Sequence, residues 1–134
     1  MGDLLEWLGA QLDEDERSAR AATPGPWHVR ADGVVADDGE HWPVAYTDAR
    51  LGGADVAHIA ARDPARVLRE IDAKRQTLTE YVAAGDAMDR AVRDKDTVGY
   101  NAARAERQVL ERIVRREAVV YADRPGYREE WWRP

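Results

Sequence analysis

The apolar positions of this chain change their period three times. Leu4, Leu8 and Leu12 recur every fourth residue, with Leu5 and Trp7 beside them. That spacing predicts an amphipathic helix from about Leu4 to Ala21, within residues 1–22. Asp3 with Glu6 three residues later fits a capping box at its start. Thr23-Pro24-Gly25-Pro26 ends it, because two prolines cannot continue a helix. Over residues 26–48 the runs are short and β-like: Trp27-His28-Val29, Gly33-Val34-Val35-Ala36 and Trp42-Pro43-Val44-Ala45-Tyr46-Thr47. Asp32-Gly33 and Asp37-Asp38-Gly39 separate them as turns. A two- or three-stranded antiparallel sheet is expected, with the Pro43 strand at an edge or beginning there, since proline has no N–H to donate.

Residues 54–121 return to helical spacing. Ala54–Arg62 reads as a short helix with Val56, Ile59 and Ala60 inward. Asp63-Pro64 starts a long one, Asp as cap and Pro at the first helical position. Val67, Leu68, Ile71, Leu78, Tyr81, Val82, Met88 and Val92 carry it to about Val92, with Gly85 as a point of kinking or breakage. Asp94-Lys95-Asp96 reverses the chain. Asp96 or Thr97 caps a second long helix to Tyr121, whose inward stripe is read as Val98, Ala102, Ala105, Val109, Ile113 and Val120, supported by Leu110, Val114 and Ala118. Two such stripes joined by a short polar turn pack antiparallel. Residues 122–134 form an extended, Trp-rich tail. The expected fold is α+β in one domain over residues 1–134: an N-terminal helix, a small antiparallel sheet, a short helix, a long helical hairpin and that tail.

Composition narrows the class. The 134 residues suit one compact domain. Phe is absent, so Trp and Tyr must supply the aromatic bulk of the core. Of twenty basic residues only Lys74 and Lys95 are lysine, which with abundant Ala, Val and Asp points to a GC-rich genome, an actinobacterium or one of its phages. No cysteine is present, so disulfides and Cys-based zinc sites are excluded and a cytoplasmic location is the simplest expectation. The N-terminus lacks the basic and apolar regions of a signal peptide, and no stretch is apolar enough to span a bilayer. A net charge of −6 disfavours nucleic acid as a partner.

Several segments together resemble a known group. His58-Ile59-Ala60, then Asp63-Pro64-Ala65-Arg66-Val67-Leu68-Arg69-Glu70-Ile71, and finally Tyr121-Ala122-Asp123, Pro125 and Tyr127-Arg128-Glu129-Glu130-Trp131 resemble an uncharacterised family of small actinobacterial and actinophage proteins. Trp7-Leu8 and Gln11-Leu12-Asp13-Glu14-Asp15-Glu16 match it too. The stretch from Ala22-Thr23-Pro24-Gly25-Pro26-Trp27 to His58-Ile59-Ala60-Ala61-Arg62 is similar to a module of Ead-like phage early proteins. Neither resemblance implies an activity or supplies catalytic residues. The resemblance implies that many members of the first family carry Cys and His between the long-helix segment and the terminal Tyr-Ala-Asp. This chain has a helical pattern and no Cys there, so no metal site is implied.

No motif in the chain carries chemistry. His28 and His41 with Asp32, Asp37 or Asp38 would need to converge to hold a metal, and they read more simply as strand and turn residues. His58 is expected at the border of the core. Asp13, Glu14, Asp15 and Glu16 read as a solvated face. Ser18 is the only serine and lies mid-helix, which leaves no nucleophile. No catalytic residue, metal or cofactor is therefore assigned. The binding candidates are Trp27, Trp42, Tyr127, Trp131 and Trp132, as aromatic recognition residues, and Arg62, Arg66 and Arg69, as a helical ladder able to take an anion. Arg104, Arg107, Arg112, Arg115 and Arg116 enrich the last helix. The expected function is a non-enzymatic interaction protein, homodimeric or bound to a protein partner, with no membrane. The alternative is a protein that sequesters a nucleotide or another small anion on an Arg-bearing helix.

Overall fold

A computed structural model describes residues 1–31, 33–36, 43–48, 50 and 53–132. In chain order it contains α1 (Gly2–Ala21), β1 (Trp27–Arg30), β2 (Gly33–Ala36), β3 (Pro43–Tyr46), α2 (Ala54–Ala61), α3 (Pro64–Arg93), α4 (Thr97–Val119) and a 3-10 turn at Glu129–Trp131. The fold is α+β, with α3 and α4 forming the expected hairpin. By packing, the chain divides into two compact units, Met1–Leu12 with Asp72–Pro134, and Asp13–Ile71. Helices α1 and α3 each contribute to both.

The Asp13–Ile71 unit holds the sheet, whose order is β1-β2-β3, all antiparallel. Trp27 pairs with Ala36 and Arg30 with Gly33, so a two-residue turn joins β1 to β2. Ala31 in that turn has φ +55, as the tight hairpin requires. The β2–β3 register is irregular between Val34 and Val35, and Val35 faces Pro43. Pro43 both begins β3 and lies on an edge strand, where its missing N–H breaks no ladder. The central strand carries the burial: Val34 and Ala36 are fully enclosed, and α2 packs on β1 and β2 with Val56 buried. Ile59 and Ala60 are half-buried, whereas His58 is exposed rather than at the border of the core.

Asp63 organises the junction after α2. Its Oδ1 accepts the Arg66 N–H at 2.9 Å, the N-cap bond expected of it, and its Oδ2 accepts the Trp27 N–H at 3.3 Å. Arg62 closes α2 instead of continuing into α3, so the two helices are separate.

The other unit is built on three helical segments and the tail. Leu4, Leu8 and Leu12 of α1 are fully buried, in line with their period. Helix α1 begins at Gly2, two residues before the expected start, so Asp3 lies inside the first turn instead of capping it. Its carboxylate accepts from Arg128 at 3.1 Å. Helix α3 runs unbroken through Gly85, contrary to the expected weak point. The guanidinium of Arg107 stands over that glycine and over the Tyr81 ring, 4.9 Å from its centroid.

The turn after α3 sets the rotation of α4. Asp96 N–H bonds the Ala91 carbonyl at 2.8 Å and Lys95 N–H the Val92 carbonyl at 3.2 Å, with Lys95 at φ +54. This is a Schellman closure. The Asp96 carboxylate then accepts the Gly99 N–H at 2.9 Å and starts α4. With the phase fixed in this way, Ala103, Leu110, Val114 and Ala118 turn inward. The stripe read from the sequence as the inner one is outside: Val98 is 81% exposed, Val109 46% and Val120 65%. The hairpin is tied across by Thr77 Oγ1 donating to Glu117 Oε1 at 3.1 Å and Lys74 Nζ to the Tyr121 hydroxyl at 3.3 Å.

Candidate functional site

The tail is wound into turns and docked on its own unit, not extended. Successive reverse bonds run from Ala122 N–H to the Val119 carbonyl, Arg124 to Tyr121, Tyr127 to Arg124, and Trp131 to Arg128. Trp7, Tyr127 and Trp131 form a triangle of rings with centroids 5.7, 5.1 and 5.8 Å apart. These separations suit tilted and edge-on aromatic packing. Trp7 Nε1 also donates to the Pro125 carbonyl at 3.0 Å. In a chain without phenylalanine, Tyr81, Tyr121 and Trp131 are the buried aromatics among the described residues.

Burying Trp131 forces its neighbour outward. Trp132 is 57% exposed, yet its backbone is held: its N–H bonds the Glu129 carbonyl at 3.2 Å. The preceding carbonyl, of Trp131, accepts Arg115 Nη1 at 3.0 Å. Trp132 therefore presents an indole to solvent from a fixed base. A cleft of about 240 Å³ is lined by Arg112, Arg115, Arg116 and Trp132. Another, of about 310 Å³, is lined by Val119, Tyr127, Glu129 and Trp132. Arg115 is neutralised by Glu111, whose Oε1 takes Nε at 3.1 Å and Nη2 at 2.8 Å. Among the described residues, Arg112 and Arg116 have no ion pair.

The outer face of α4 leads into this cluster. Val98, Ala102, Ala105, Val109, Ile113 and Val120 follow one another at three- to four-residue steps on the side opposite the buried face, and Arg116 interrupts them. Ala102 and Ala105 are exposed and Ile113 is half-buried. The inner side of the hairpin carries a perturbed group. Burial pushes the Glu117 carboxyl above its ordinary value of 4.5, against the smaller opposing effects of the Thr77 hydroxyl and the Lys74 charge. Its Oε2 is enclosed without a hydrogen-bond partner. Among the described residues, no three His, Asp or Glu side chains converge as a metal site, and no helix is long and apolar enough to cross a membrane.

The model of a family of unknown function (DUF6221) matches residues 1–133. The chain belongs to that family. No curated protein and no solved structure matches the chain. For this DUF6221 protein the sequence-derived candidates therefore stand or fall on geometry. In the Asp13–Ile71 unit, Trp27 is half-buried, its indole N–H donating to the Thr23 carbonyl at 2.9 Å. Arg66 Nε meets Glu70 Oε1 at 2.9 Å, and Arg62 approaches the same carboxylate at 3.8 Å. Glu70 thus draws the first two members of the ladder into one ion-paired surface, while Arg69 is exposed. Trp42 and His41 lie outside the described residues. In the other unit, Tyr127 and Trp131 are joined in the aromatic triangle and Trp132 stands apart from it.

Arg112 and Arg116 were legible only as members of an arginine-rich helix. Their four-residue spacing put them on one face. What it lacked was the tail, which brings an indole from sixteen residues beyond Arg116 to that face.

Proposed function

We propose that this chain is a non-enzymatic interaction protein that self-associates through the outer face of α4, acting in the cytoplasm of an actinobacterium or within the biology of one of its phages. The observation that carries the reading is the outward valine stripe. Val98, Val109 and Val120 are each exposed by nearly half or more. They recur every eleven residues, close to three full helical turns, and so share one line along the helix. An apolar line on a helix whose opposite side is already buried gains nothing from its own chain and loses free energy in water.

The size of the face supports a weak dimer. The 23 residues of α4 span roughly 34 Å, and pairing two such faces covers on the order of 1,000 Å². That is the small end of specific interfaces, where association is concentration-dependent. The arginine-rich composition and the family resemblance support the actinobacterial or phage setting, and the lack of cysteine supports the cytoplasm.

Light scattering coupled to gel filtration tests this across the micromolar to millimolar range. The mass is expected to rise from 15.1 kDa toward twice that value, and Val109→Glu is expected to hold it at the monomer with an unchanged circular dichroism spectrum. A native mass that stays at the monomer throughout sinks the proposal.

A further inference from the structure

The arginine-lined cleft at Trp132 is a second feature, at the C-terminal end of the same helix. We infer that it binds a free nucleoside phosphate, with the base stacked on the Trp132 indole and the phosphate held by Arg112 and Arg116. Three observations converge on that class of ligand.

The first is the pairing state of the arginines. Arg115 is committed to Glu111 and to the Trp131 carbonyl. Arg112 and Arg116, one helical turn apart, keep their charge available among the described residues. Two guanidiniums at that spacing on one helix face offer forked donors to one tetrahedral anion.

The second is the indole. It is exposed, and the backbone that carries it is held by the Trp132 amide N–H bond to the Glu129 carbonyl and by Arg115 on the Trp131 carbonyl, so a stacking ligand meets a side chain that projects from a fixed point. Preorganisation of this kind reduces the entropy lost on binding, and base–indole stacking is tolerant of base identity.

The third is size and asymmetry. About 240 Å³ lies below the range of clefts that enclose a whole drug-sized ligand, so a small ligand held along one face, with part of it left in solvent, fits best. The other cleft that shares Trp132 carries Glu129, which repels an anion. The ligand therefore carries its negative charge at one end only. An acidic peptide running across the indole would place carboxylates against Glu129. A nucleic acid strand would face the whole chain's net charge of −6 without an extended basic track.

Isothermal titration calorimetry on the full chain decides this, with AMP, adenosine, inorganic phosphate and a single-stranded deoxythymidine oligonucleotide as probes. AMP is expected to bind at least tenfold more tightly than either adenosine or phosphate. Arg112→Gln/Arg116→Gln is expected to weaken AMP and phosphate by tenfold or more. Trp132→Ala is expected to weaken AMP by about tenfold while leaving phosphate unchanged, the size of effect that loss of one stacking contact produces. All three positions are exposed or line the open cleft, and the thermal midpoint of each variant confirms that it folds. Val98→Glu, on the same valine line but roughly 21 Å along α4 from Arg112, is expected to abolish the dimer and retain AMP binding, so the two proposals fail separately. Equal affinity for AMP and phosphate, no AMP binding at millimolar concentration, an unaffected Trp132→Ala variant, or tighter binding of the oligonucleotide than of AMP each overturns the assignment.

Discussion

Replacing Gly126 by alanine should undock the tail, and its cost can be assembled from the structure. Gly126 has φ +86, a conformation in which a Cβ crowds the following carbonyl. An L-residue there costs about 1–2 kcal/mol. A Cβ built on Gly126 would also lie 2.9 Å from Trp7 Nε1 and 3.2 Å from Trp7 Cδ1. The indole has little room to retreat, because Tyr127 and Trp131 rings pack against it at 5.7 and 5.1 Å. Displacing it also stretches the bond from Nε1 to the Pro125 carbonyl, now 3.0 Å, worth about 1 kcal/mol net. Together these give a destabilisation of about 2–4 kcal/mol. Urea unfolding followed by tryptophan fluorescence measures it, with Gly53→Ala as control, since a Cβ there meets nothing within 4 Å. The steric part is isolated by a double-mutant cycle with Trp7→Ala, which should recover about 1 kcal/mol or more of the glycine penalty. A Gly126→Ala variant within about 0.5 kcal/mol of the native protein, or one strictly additive with Trp7→Ala, refutes the reasoning.

Two further outcomes follow from the hairpin. Gly85→Ala should stabilise the protein by about 0.5–1 kcal/mol, because α3 is a continuous helix there and the new Cβ reaches only ordinary contact, 3.6 Å, with Arg107 Nε. Thermal melts read this, and a loss of stability would mean that the glycine is needed for close approach or for a bend. Glu117 should make the native protein gain stability on acidification relative to Glu117→Gln. Its folded-state pKa is raised by burial, so its contribution is fully present below the ordinary value of 4.5 and is lost as pH rises through the higher folded value. Paired melts of the two proteins between neutral pH and pH 4 test the sign, and curves that run parallel would show that the carboxylate is not desolvated.

Element types were legible in the chain because they rest on local rules. The Leu4-Leu8-Leu12 period, the Asp63-Pro64 start, the Asp96 cap and Pro43 at the head of an edge strand each follow from neighbours within a few residues, and each holds in the structure. Membership of an uncharacterised family was likewise expected from the chain, and the DUF6221 match over residues 1–133 bears that out. Orientation was another matter. Helix α4 bears two apolar lines on opposite sides, and periodicity cannot rank them. Both were read together as one apolar stripe, Val98 to Val120 with Leu110, Val114 and Ala118 in support, yet the Schellman turn at Asp94–Asp96 fixes a phase that buries Leu110, Val114 and Ala118 and sends Val98, Val109 and Val120 to solvent. The candidate site was partly legible for the same reason. The terminal tryptophans and the arginines of α4 were visible as residues, but their meeting was not, because it depends on turns that fold the tail back onto α1 and α4. Sequence spacing determined which helices and strands this protein forms; the geometry of two short turns, where a few dihedrals set the direction of everything after them, decided which faces were left for a partner.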